Sequence, residues 1–163
     1  MAVPEYFGRN AVAAAQAISG LDERRLADLL ENVRIGITIG SDAEGPEGQA
    51  LSDLLIRLLA RLYPALAIRA DRGTAAAQDA QGLALRVNPR VDLTGRPTLE
   101  IVVGSSALEP WASERFYVGS NGWTATFSTS RPQSCNGTDI PFGAGIAACL
   151  AAANVFRRVF LPA

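Results

Sequence analysis

The side chains able to do chemistry in this chain are few, and those missing decide as much as those present. Histidine is absent altogether. That removes Ser-His and Cys-His nucleophile pairs, HExxH metal sites and the usual general base near neutral pH. Two cysteines remain, Cys135 and Cys149, with no CxxC pair for zinc and no disulfide framework. Cys135 lies in RPQSCNGTD, a polar stretch that reads as an exposed loop. An exposed thiol can accept an acyl group by thioester exchange if it has a thiolate and an oxyanion donor, and Arg131 and Asn136 are near in sequence. Ser134 is an oxyester acceptor on the same logic. No basic partner for the thiol is identifiable, so an incidental loop cysteine is the reading preferred over a carrier. Cys149 sits in an apolar run and reads as a small core residue.

Carboxylates form the second group. Residues 40–48, GSDAEGPEG, bring Asp42, Glu44 and Glu47 together. They read either as a hold for a cation or a partner's basic patch, or as acids meeting the dipole at a helix N-terminus; the second is preferred. Asp71 follows an expected strand and is either a ribose contact or, in preference, a solvated loop acid. With 15 basic and 16 acidic residues the net charge is −1, so no electrostatic footprint for nucleic acid or an anionic membrane follows. The apolar stretches 11–18 and 146–155 are too short to cross a bilayer, and the N-terminus does not read as a signal peptide. A cytoplasmic protein, engaging neither nucleic acid nor membrane, is the expectation.

The elements that must position these groups follow from pattern. At 163 residues and 48% hydrophobic composition, the chain suits one ordered domain. Residues 9–18 read as an Ala-rich helix stopped by Ser19-Gly20. Asp22 caps a second helix reaching about Leu30, with Leu26, Leu29 and Leu30 on one face. Residues 33–39 (VRIGITI) form a buried strand, 40–48 a loop, 49–63 an amphipathic helix ended by Pro64, and 65–69 a second strand. That is a βαβ unit, which implies a parallel sheet.

A helix over 74–87 ends at Asn88-Pro89, before short strands at 90–93 and 99–103, the latter buried on both faces. Strands 116–119 and 123–129 turn through Ser120-Asn121-Gly122, an Asn-Gly hairpin signal. A small-residue helix spans 143–160. In it Gly143, Gly145, Ala144, Ala147, Ala148 and Ala151 permit close backbone approach, to the domain's own sheet in preference to a partner helix. Trp111, Trp123 and Phe160 cap the core or dock a partner. The fold class is therefore α/β: a Rossmann-like mixed sheet, parallel at the front with an antiparallel hairpin at the back, flanked by helices. N-terminal helices occupy 1–31 and the core 33–163.

This order, with four local stretches, resembles the ThiF-like adenylyltransferases that activate ubiquitin-like proteins. Tyr6-Phe7-Gly8-Arg9-Asn10 is similar to that family's Tyr-x-Arg-Gln opening, whose arginine reaches the partner's ATP phosphates. LALRVNPRV (83–91) resembles its helix ending in Asn-Pro, strand 33–39 with its glycine loop occupies the place of its ATP site, and 140–160 resembles its late helix. The C-terminal segment also resembles bacterial proteins grouped as prokaryotic conjugating-enzyme family C. Departures from the activating family bear on function. Its Gly-x-Gly-Gly-x-Gly loop is replaced by an acidic one, Asn-x-x-Arg is missing, and Gly104-Ser105-Ser106 stands where a magnesium-binding Asp belongs.

The resemblance therefore implies an inactive adenylation half, a pseudoenzyme with no cofactor of its own. It would form a heterodimer with an adenylating subunit that holds ATP and Mg, supply Arg9 in trans, and help position a ubiquitin-like protein, in a bacterial setting such as antiviral defence. The rival expectations are a conjugating-enzyme-like carrier using Cys135, built as an antiparallel meander with flanking helices, and an independent nucleotide-binding enzyme.

Overall fold

Alternation in IGITI explains the first strand. Ile35, Ile37 and Ile39 project to one side and Gly36 and Thr38 to the other, and all five residues of β1 (Ile35–Ile39) are buried. The computed structural model describes residues 23–71, 73–135 and 137–161. Helix α1 (Glu23–Asn32) precedes β1, and a 3-10 turn (Ser41–Glu44) follows it. Then come α2 (Pro46–Leu62), β2 (Leu66–Ala70), α3 (Thr74–Val87), β3 (Leu99–Val103), β4 (Glu114–Asn121), β5 (Thr124–Ser128) and α4 (Phe142–Phe160). The expected helix at 9–18, Arg9 and the Asp22 cap lie outside the described residues.

The strands form one five-stranded sheet in the order β2-β1-β3-β4-β5. β1 is parallel to β2 and β3, and β3 is parallel to β4. Among the described residues only the β4–β5 pairing is antiparallel. This is the mixed α/β sheet read from the sequence, with four helices among the described residues. It is not the antiparallel meander that the carrier reading expected.

One face of the sheet carries the core. Ile35, Ile37, Ile39, Leu99, Ile101, Val103, Phe116 and Val118 pack there with Leu51, Leu55, Ile56 and Leu59 of α2. α4 contributes Ala144, Ala147, Ala148, Ala151 and Val155 to the same cluster. Its small residues let its backbone come close to α2 and the hairpin, so the stripe serves this domain's own packing. α4 is long and apolar enough to cross a membrane by length and composition; in this fold its alanine face packs into the core, while Phe142, Ile146 and Leu150 face outward. On the other face of the sheet, Pro97 lies over Gly36 and the backbone of Ser134 over Gly119. The connection from β3 to β4 runs as a loop through Ser105–Ala112.

Three expectations shift. The acidic loop is shorter than read: Pro46, with its φ preset, opens α2 at the first helical position, so Glu47 and Gly48 are helical. Residues 90–93 do not form a strand, since Asp92 makes only a single parallel bridge to Ala65. The reason is local, because the Asp92 carboxylate accepts hydrogen bonds from Thr94 N at 2.9 Å and Thr94 Oγ1 at 2.7 Å, turning the chain away. The hairpin turn is shifted by one residue. Asn121 pairs with Thr124, leaving Gly122-Trp123 as the two-residue loop, with Gly122 at φ +59° in the first central position.

Candidate functional site

Strands β1, β3 and β4 end together, and three segments converge there: the turn after β1, the Gly104–Ser106 loop after β3, and residues 133–138, which follow β5 and return beside the end of β4 through the Ser120–Cys135 bridge. In open α/β sheets ligands bind outside these carboxyl ends, so the region was the natural candidate. It is filled by protein. Asp42 Oδ1 accepts Ser105 N at 2.7 Å and Asp42 Oδ2 accepts Cys135 N at 3.1 Å. A Cβ at Gly104 would collide with the Asp42 carboxylate, and one at Gly40 with the Ser105 backbone. The glycines that would bring a backbone close to phosphate bring it close to protein instead, and the acid accepts N–H groups of the neighbouring loops.

Glu47 does the same work one turn further on. Its carboxylate, fully buried, accepts Gly122 N at 2.7 Å, Thr138 N at 3.1 Å and Thr138 Oγ1 at 2.9 Å. Burial pushes this carboxyl up, but the nearby Ser120 hydroxyl and the hydrogen bonds from Thr138 and Gly122 outweigh it, and the net shift is downward. So Asp42 and Glu47 bind the hairpin and the 133–138 segment to the start of α2. Among the described residues no cluster of three His, Cys, Asp or Glu side chains could hold a metal.

Cys135 sits inside this region rather than on it. Its side chain is buried, with Ser120 N bonded to Ser134 O at 3.1 Å beside it. Burial and then the Asp42 and Glu47 charges push the thiol up to about 11. Ser120 Oγ lies near both the thiol and Glu47 yet completes a hydrogen bond to neither. The expectation of an exposed Cys135 is therefore overturned. The reason is that only the side chain turns inward, while neighbouring Ser134 and Gly137 stay exposed. Cys149 reverses in the opposite sense. It is exposed, because α4 buries its alanines and turns Phe142, Ile146 and Leu150 to the surface.

Asp71 is not a free loop acid. It accepts hydrogen bonds from Ser106 Oγ and, at 2.9 Å, from Ala107 N, bracing the β3–β4 loop. Arg131 and Ser134 are exposed, and Arg9 and Asn136 lie outside the described residues. Trp111 stacks under Arg69, 4.8 Å from the guanidinium carbon to the ring centre. Trp123 is 67% exposed and stacks on Phe142 at 4.5 Å, while Phe160 is buried.

Sequence reasoning missed a second polar centre. Glu100, fully buried as the second residue of β3, accepts Thr38 Oγ1 at 2.5 Å and Arg69 Nη2 at 2.8 Å on one oxygen. The other oxygen accepts Trp111 N at 3.0 Å and Ala112 N at 3.4 Å. Burial raises its carboxyl, while the bonds from Thr38, Trp111 and Arg69 hold it below its usual value. A glutamate inside the apolar run LEIVV was the available signal, since a buried charge demands a partner.

Comparison with known proteins then places the chain. The model of a family described as prokaryotic E2 family C matches residues 39–161. An uncharacterized protein, y4jF, of Sinorhizobium fredii (strain NBRC 101917 / NGR234) is 34% identical over 165 residues, covering 98% of this chain and 32% of that protein. The chain thus spans about a third of the length of this curated relative.

Proposed function

This chain belongs to prokaryotic E2 family C, and on that premise we propose that it acts in bacterial ubiquitin-like protein conjugation as a partner-dependent subunit rather than as an acyl carrier. The observation that carries this reading is the burial of Cys135. A carrier needs an accessible thiolate, and this thiol is enclosed, flanked by two carboxylates and protonated at neutral pH. The filled crevice at the strand ends supports the same reading against independent nucleotide chemistry. In the proposal the catalytic work belongs to an adenylating, ThiF-like subunit that holds ATP and Mg, and this chain pairs with it as a pseudoenzyme half, supplying Arg9 to its phosphates. The cytoplasm, with a role such as antiviral defence, is the proposed setting.

Two findings support partner dependence. Trp123, Phe142, Ile146 and Leu150 are all exposed, an apolar group of the kind that marks association surfaces. In y4jF a matching region is one part of a much longer polypeptide.

A second reading, a conjugating-type carrier on Cys135, is favoured by the family's description and by the unpartnered Ser120 hydroxyl near the sulfur. One experiment separates them. The chain is mixed with an adenylating subunit, a ubiquitin-like protein and ATP, and products are run without reductant. We expect no reductant-sensitive adduct on this chain, faster adenylate formation in its presence, and loss of that gain in Arg9→Ala. An adduct that disappears in Cys135→Ser would establish the carrier instead.

A further inference from the structure

The face of the sheet opposite α2 and α4 holds a cavity of about 70 Å³. Four strands floor it: Thr38 from β1, Arg69 from β2, Glu100 and Val102 from β3, and Arg115 and Tyr117 from β4. Ser106, Leu108, Pro110 and Pro132 close it from above. The period of two along each strand puts these side chains on one face.

Its charges do not cancel. Glu100 is matched by Arg69 at 2.8 Å, and both Glu100 oxygens are already engaged. The Thr38 hydroxyl donates to Glu100 and accepts Arg69 Nε at 2.9 Å. The Ser106 hydroxyl donates to Asp71 and accepts Leu108 N at 3.2 Å. Arg115 remains. Its one interaction is with the Tyr117 ring, 5.5 Å from the guanidinium carbon, and it has no hydrogen bond or ion pair among the described residues. The Tyr117 hydroxyl and Arg69 Nη1 likewise have no acceptor among the described residues. Among the lining residues, then, two guanidinium groups stand against one carboxylate, and several donors border one small, partly apolar cavity without an acceptor among the described residues.

We propose that this cavity is a binding site for a single carboxylate group, with Arg115 as its principal ligand and Arg69 and Tyr117 assisting. A guanidinium fork matches a carboxylate in plane and in charge. The single spare charge suits a monoanion better than a phosphate dianion. Val102, Leu108, Pro110 and Pro132 accept the carbon that bears the carboxylate. The volume admits such a group, about the space of a few waters, and excludes a nucleotide. The site goes beyond the conjugation role and does not depend on it.

Acetate, inorganic phosphate and three short peptides are titrated into isotope-labelled full chain and followed by amide NMR. The peptides have a free C-terminus, an amidated one, and an amidated one carrying a single aspartate. Saturable shifts at Ser106, Arg115 and Tyr117 are expected with acetate and with whichever peptide presents a carboxylate. The two carboxylate peptides tell a chain end from an acidic side chain. Arg115→Ala weakens binding at least roughly tenfold, and Arg115→Lys, which keeps the charge but loses the fork, weakens it less. Arg115→Lys stands in should Arg115→Ala fail to fold. The site is disproved if no carboxylate gives saturable shifts, if phosphate is bound in preference to acetate, or if neither variant weakens binding.

Discussion

At the scale of single residues, the two cysteines show what sequence does and does not convey. Polar neighbours suggested exposure for Cys135 and apolar neighbours suggested burial for Cys149, and the structure has them the other way round. Neighbours in sequence report the environment of a backbone, whereas exposure of a side chain depends on which way it turns. Around Cys135 the backbone is held by Asp42, which comes from 93 positions away in sequence, and no local pattern contains that contact. The consequence is chemical. A thiol pushed up to about 11 is thiolate to only about one part in ten thousand at pH 7, and the thiolate is what reacts. Native protein treated with iodoacetamide is expected to take one label, at Cys149, and a second only after denaturation, as peptide mass spectrometry reads directly. Equal native labelling of both thiols would mean that the 133–138 segment opens readily, and the carrier reading would return.

Among the elements, those read from strong periodicity stand where the pattern put them. The helix at 74–87 and the strand at 99–103 match to the residue, and the βαβ unit around α2 is present with its parallel pairing. Errors arose where a side chain overrides pattern, as Asp92 does in ending a strand before it forms. On α4 the small residues face inward as read, but Cys149 was misplaced because the helix is apolar all round, with larger residues outward, so hydrophobicity alone does not mark its buried face. Glycine contacts give a test at this scale. Gly104 has φ +72° and no room for a Cβ beside Asp42, whereas Gly73 has φ +103° and open space. Both alanine variants incur backbone strain, but only Gly104→Ala also displaces the Asp42 brace. Urea denaturation is expected to show Gly104→Ala losing roughly 2 kcal/mol or more, with Gly73→Ala losing about 1 kcal/mol. Equal losses would show that Asp42 does not hold the loops together.

For the molecule as a whole, the fold class was legible in the sequence but the candidate site only in part. The acidic segment does lie between the first strand and the helix that follows it, as read. That its acids brace distant loops was not visible, since their partners at 105, 122, 135 and 138 come together only through the sheet order. The same carboxylates set the response to acid. Glu47, Glu100 and Asp92 all have folded values below their usual ones: for Glu47 and Glu100 hydrogen bonds outweigh burial, and Asp92 is lowered chiefly by Arg34, which bonds it at 2.6 Å. A depressed carboxyl contributes stability that is complete above its unfolded value and is lost as pH falls through the folded one. With no histidine in the chain, no imbalance of imidazole protonation acts near neutrality. Urea midpoints should therefore be nearly level from about pH 6 to 8 and fall steadily as pH drops below about 4.5. Glu100→Gln removes one contributor, so its midpoint should be lower at neutral pH and its acid decline shallower, the two curves converging toward low pH. Parallel curves for wild type and variant across the acid range would mean that the Glu100 charge contributes nothing to stability through Arg69 and Thr38. The buried pair would then be an architectural filler rather than an electrostatic one.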